Sequence, residues 1–161
     1  MKKTNPEETK ATISQGLRRF LYLTAAITGG IILIVEILGA KMLSPFFGTS
    51  HFVWTAQITV TLLSLAAGYY FGGRLVDRST NLKRLYLCIL LAGLYLCLAL
   101  AVLRPMAYFF LGFNLALGSI LASLFLFFVP LTLLAVTGPF VIRVLTQSTQ
   151  TVGGQVGRLS A

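Results

Sequence analysis

Charge in this sequence falls almost wholly between long apolar blocks. The sharpest instance is residues 66–85, AAGYYFGGRLVDRSTNLKRL. There one apolar run gives way to Arg74, Asp77, Arg78, Lys83 and Arg84, and another apolar run begins. Blocks of about 20 apolar residues are what a hydrocarbon core about 30 Å thick requires of a crossing helix. Of the 161 residues, 57% are hydrophobic and 11% charged, against about a quarter charged in an ordinary soluble domain. The blocks do not alternate in polarity, as the strands of a membrane barrel would. The pattern predicts an all-α membrane protein, a bundle of about four transmembrane helices.

Breakers and charges divide the chain. Residues 1–17 are polar and mixed in charge, and read as a disordered cytoplasmic tail. The transmembrane domain is expected over 18–146. Its spans are 20–43, 52–72, 82–103 and 114–136, followed by a short interfacial helix at 140–146. Residues 44–50 hold Pro45 and Gly48 and read as a turn. Asn81 is the expected N-cap of the third span. Pro130 should disturb the fourth span, and Gly138-Pro139 should end it. A hairpin in the long region from 106 to 137 would raise the count to five. Residues 147–161 read as a polar loop, truncated at Ala161.

The net charge of +9 forms no single patch, so nucleic acid is not an expected partner. The basic residues instead sit at block ends, as topology signals and contacts to anionic lipid do. Of the 13 Lys and Arg residues, all but Lys41 and Arg104 fall in the tail, the central loop and the C-terminal segment. The positive-inside rule then makes both termini and the loop at Asp77 cytoplasmic.

Glu36 is the acidic residue within a span. A carboxylate at that depth costs about 2.5–3.5 kcal/mol on insertion scales and marks a binding or proton site by default. Helical spacing puts Gly29, Leu33, Gly39, Ala40 and Leu43 on its face. The small residues among them would let another helix approach, so Glu36 is expected to face the bundle. It would suit a proton or a cation such as a polyamine. The competing role is structural, with bonds to Lys41, His51, Gln57 or a backbone group. Gly68 and Gly72 form a Gly-x-x-x-Gly packing pair, and Gly118/Ala122 and Ser119/Ser123 are similar small pairs. His51 lacks partners for a metal site. Cys88 and Cys97 point to opposite sides of one helix and read as small buried hydrophobes. No nucleotide-binding, zinc-protease or nucleophile-elbow motif is present. No catalytic residue, metal site or cofactor is therefore expected in this chain.

Two stretches carry a resemblance. One is residues 35–48, VEILGAKMLSPFFG, continuing through Phe52-Val53-Trp54-Thr55 to residues 68–78, GYYFGGRLVDR. The other is residues 136–145, VTGPFVIRVL, with the closing VGRLSA. Together they resemble the membrane region of bacterial proteins in which a major-facilitator-like region is fused to a spermidine synthase. Gly73, Asp77 and Arg78 resemble the loop motif between the second and third helices of major facilitators. The resemblance implies part of a major-facilitator half in the bacterial cytoplasmic membrane. It also implies further helices and an aminopropyltransferase domain beyond Ala161, using decarboxylated S-adenosylmethionine and putrescine. None of that domain's site residues lies in this chain. The expected function is membrane anchoring or polyamine handling. The alternative is a transporter half or a structural subunit unrelated to polyamines. The expected partners are the lipid bilayer, an aminopropyltransferase domain (fused or separate) and a second copy of the chain.

Overall fold

The computed structural model describes residues 14–78 and 81–146. Among them every regular element is helical. The order is α1 (Gln15–Phe47), α2 (His51–Arg78), α3 (Leu82–Ala101), α4 (Leu103–Leu111), α5 (Leu115–Ser123), a π-helical segment (Leu124–Phe128) and α6 (Val129–Ala135). After a turn at Val136, residues 137–146 are helical again. Four helices are long and apolar enough to cross a membrane: α1, α2, α3 and the composite Leu115–Thr146. At nine residues, α4 is too short to do so.

The composite fourth span is the centre of the bundle. In its most apolar window 56% of residues are buried, against 11% in that of α1. Leu126, Phe127 and Leu131 of the fourth span meet Leu43 and Phe47 of α1, Val53 and Val60 of α2, and Met106 and Ala107 of α4 in one core. The outward faces carry Leu33, Ile37, Leu62, Leu90, Leu94 and Leu98, all exposed. In a bilayer these side chains meet lipid tails, so the bundle is held by close packing and polar contacts and not by burial from water.

Gly68 and Gly72 of α2 supply that close packing within the chain. A Cβ at Gly68 would collide with Ala135 Cβ and stand 2.6 Å from the Thr132 carbonyl oxygen. At Gly72 it would stand 3.0 Å from Val136 Cα. Both contacts advance along α2 and the fourth span in the same direction, so these two helices run parallel. Gly118 similarly admits the Phe110 carbonyl, 2.5 Å from where its Cβ would lie. Gly29 differs from the expectation. It is exposed on α1, with open space where a Cβ would be, because α1 turns Thr28 inward there.

Several expected breaks are bridged. Helix α1 already begins at Gln15, inside the expected tail, and runs through Pro45 to Phe47. Pro45 cannot donate to the Lys41 carbonyl four residues back. The Ser44 hydroxyl donates to it instead, at 3.2 Å. The helix ends at Gly48, whose φ of 75° suits glycine. The motif residues Gly73, Asp77 and Arg78 are not in a loop, because α2 continues helically through Arg78. Asn81 caps α3, its side chain accepting from Lys83 N at 3.0 Å, and Asn114 caps α5 in the same way.

Pro130 follows the π-helical segment. In a π pattern its missing N–H would have bonded the Phe125 carbonyl. The Tyr95 hydroxyl of α3 donates to that oxygen at 2.6 Å, the kind of neighbour that lets a membrane helix carry proline. Gly138-Pro139 does not end the helical path. Residues 140–146, expected as a short interfacial helix, form the end of the composite path Leu115–Thr146, with Phe140 fully buried against Val76 of α2 and Leu85 of α3. The expected tail at 1–13 and the polar loop at 147–161 lie outside the described residues.

Candidate functional site

Glu36 sits at the edge of the buried face of α1. It is half-buried, with Gly39 and Ala40 buried one turn on. Its expected neighbours Gly29 and Leu33 point outward, exposed. The inward face is instead Ile32, Val35, Gly39 and Leu43, of which Ile32, Val35 and Leu43 meet the core. Among the described residues, none of the expected structural partners Lys41, His51 and Gln57 makes a hydrogen bond or ion pair with Glu36.

The contact beside Glu36 is polar. A Cβ at Gly39 would stand 2.8 Å from Gln57 Nε2 and 2.8 Å from Phe127 Cζ, so glycine lets the Gln57 amide and the Phe127 ring press on α1. Gln57 is 0% exposed, and neither atom of its carboxamide has a hydrogen-bond partner in the described protein. The hydroxyls of Thr61 on α2, and of Ser123 and Thr132 on the fourth span, are likewise buried and unpartnered. Other hydroxyls bond the preceding turn, as Thr28 does to Thr24 O (2.8 Å) and Ser64 to Val60 O (2.6 Å). Leaving a buried polar group unpaired costs about 1–3 kcal/mol, so each of these groups is costly as it stands. Gln57, Thr61 and Ser64 recur at one face of a helix. That spacing was the sequence signal for this buried polar face, and Glu36 alone does not reveal it.

A second feature lies at the basic end of the bundle. Here the two resembling stretches meet. A groove of about 530 Å³ is lined by Tyr69, Gly73, Val76 and Asp77 of α2 and by Gly138, Pro139, Ile142, Arg143 and Thr146. Arg143 Nη2 lies 3.9 Å from Asp77 Oδ1, with both side chains more than half exposed. Gly73 opens onto the groove, with no atom within 4 Å of where a Cβ would be. Arg78 ends α2 on the same side, and the Arg74 guanidinium stands over the Tyr70 ring, 4.7 Å from its centroid.

The remaining residues do not converge on a site. His51 is exposed at the start of α2. Cys88 is half-buried, whereas Cys97 is exposed on the outer face of α3 and not the buried hydrophobe expected; both are free. Among the described residues no three His, Cys, Asp or Glu side chains gather as metal ligands would. No protein-family model, characterised protein or solved structure matches the chain.

Proposed function

We propose that this chain is the membrane domain of a spermidine-synthase-like, aminopropyltransferase-like protein, anchoring it in the bacterial cytoplasmic membrane and handling polyamine there. The observation that carries the polyamine assignment is the half-buried residue Glu36, one turn from Gly39 where the buried, unpartnered Gln57 amide meets α1. A carboxylate within a membrane span attracts a protonated amine, and neutral oxygens nearby can accept its N–H groups. The meeting of residues 68–78 with residues 136–145 in one groove supports treating the two resembling stretches as one unit of a major-facilitator-like half.

Orientation follows from charge. Arg18, Arg19, Arg74, Arg78, Lys83, Arg84 and Arg143 flank one end of the spans, and Lys41 and Arg104 flank the other. The basic end faces the cytoplasm, with both termini. The test is spermidine binding to the purified chain in lipid nanodiscs. Wild type is expected to bind, and Glu36→Gln to bind at least tenfold more weakly. Equal binding by the two would remove Glu36 from the account.

A transporter half or structural subunit unrelated to polyamines is the second reading. It is favoured by the outer face of α1, where Gly29 and Gly30 both have open space. Such a face admits another helix closely, from a second copy or from a larger complex.

A further inference from the structure

We infer that Gln57, with Thr61, is the second half of the Glu36 site and selects a primary ammonium group. This rests on the polyamine reading above. A primary ammonium carries three N–H donors and no acceptor. Full pairing at low dielectric therefore needs three acceptors, and a carboxylate with two neutral oxygens supplies them.

The helices bring that set together. A three-residue link joins α1 to α2, so the two run antiparallel, and Gly39 meets the Gln57 amide at its nitrogen, Nε2. Glu36 lies about one turn before Gly39, and Thr61 one turn after Gln57, so antiparallel helices put Glu36 and Thr61 at one depth. Gln57 is fully buried with its carboxamide unpartnered, and Thr61 is 2% exposed with its hydroxyl unpartnered. Glu36, half-buried, forms the open side. The Gln57 nitrogen lies against Gly39, so in the proposed site the closed side is the other arm of that carboxamide, its buried oxygen, with the buried Thr61 hydroxyl.

A structural glutamine would be bonded to protein, and its loss would weaken the fold. A glutamine held for a ligand is unpartnered without it, so its removal spares the fold and harms binding.

The experiment measures spermidine affinity and thermal unfolding of the full chain in nanodiscs for wild type, Gln57→Leu and Thr61→Val. Gln57→Leu should bind at least tenfold more weakly, with an unfolding midpoint no lower than wild type. If that variant does not fold, the isosteric Thr61→Val carries the test, with a loss of at least threefold expected. Spermidine trimethylated at its terminal nitrogens keeps its charge but has no N–H there. It should bind wild type and Gln57→Leu equally. Wild-type affinity for spermidine in both variants would overturn the inference and leave the polyamine reading standing. No spermidine binding by wild type would overturn both.

Discussion

Asp77 at the end of α2 and Arg143 in the last helical turns of the fourth span face each other at 3.9 Å across the rim of one groove. The contact ties together two stretches remote in sequence. It also fixes the basic end of α2 against the end of the span parallel to it. Both partners are more than half exposed, so the pair orients the helix ends more than it stabilises them. Exposed pairs contribute about 0.2–1 kcal/mol. Arg143→Ala should therefore lower stability by no more than about 1 kcal/mol, measured by chemical unfolding in detergent. The charge swap Asp77→Arg with Arg143→Asp should restore most of that loss. A far larger effect of Arg143→Ala would mean that Arg143 holds something other than Asp77.

The glycines of α2 separate sharply. Gly68 is pressed on Ala135 and the Thr132 carbonyl, whereas Gly73 opens onto the groove. Gly68→Leu should cost about 1–3 kcal/mol or more through overpacking and lower the yield of folded protein. Gly73→Leu should leave the unfolding midpoint nearly unchanged. Parallel thermal unfolding of the two variants checks this contrast.

Tyr95 completes the hydrogen bonding of the π-helical segment by donating to the Phe125 carbonyl. Tyr95→Phe keeps the ring and removes that donor. The expected loss is about 0.5–1.5 kcal/mol, with hydrogen exchange in residues 124–130 rising more than in α2. Unchanged exchange there would show that the segment needs no help from α3.

Much of the fold was legible because a bilayer permits few solutions. Four apolar blocks, Asn81 as a cap and the Gly68/Gly72 pair all correspond to features of the bundle. What misled were the local breakers. Pro45, Pro130 and Pro139 read as interruptions, yet the helical path runs through each of them; at Pro45 and Pro130 a neighbouring side chain or a change of helical pitch takes up the lost bond. At Pro130 the compensation comes from Tyr95 on another helix, which spacing along one helix does not reveal. Gly29 was misassigned for a different reason. The face was centred on Glu36, which sits at its edge; the inward line runs through Val35, and seven residues before Val35 is the buried Thr28, not Gly29. At the candidate site, Glu36 stood out as an acid in an apolar run. Gln57 did not stand out, since its significance lies in burial without a partner.

Topology gives a further expectation. A reporter active only in the cytoplasm, inserted after Arg78, should be active, and one inserted after Gly48 should be silent. The reverse pattern would invert the orientation that the basic end implies.

The most direct measurement asks whether a polyamine sits on the Glu36 carboxylate. Dicyclohexylcarbodiimide, an apolar reagent for carboxyl groups within membranes, would be applied to the protein in nanodiscs, with modification read at Glu36 by peptide mass spectrometry. The account predicts labelling of Glu36 that falls at least fivefold with saturating spermidine and is restored when spermidine is washed out, while the same ionic strength of sodium chloride gives no protection. Labelling of Glu36 that is the same with and without spermidine would contradict the central claim.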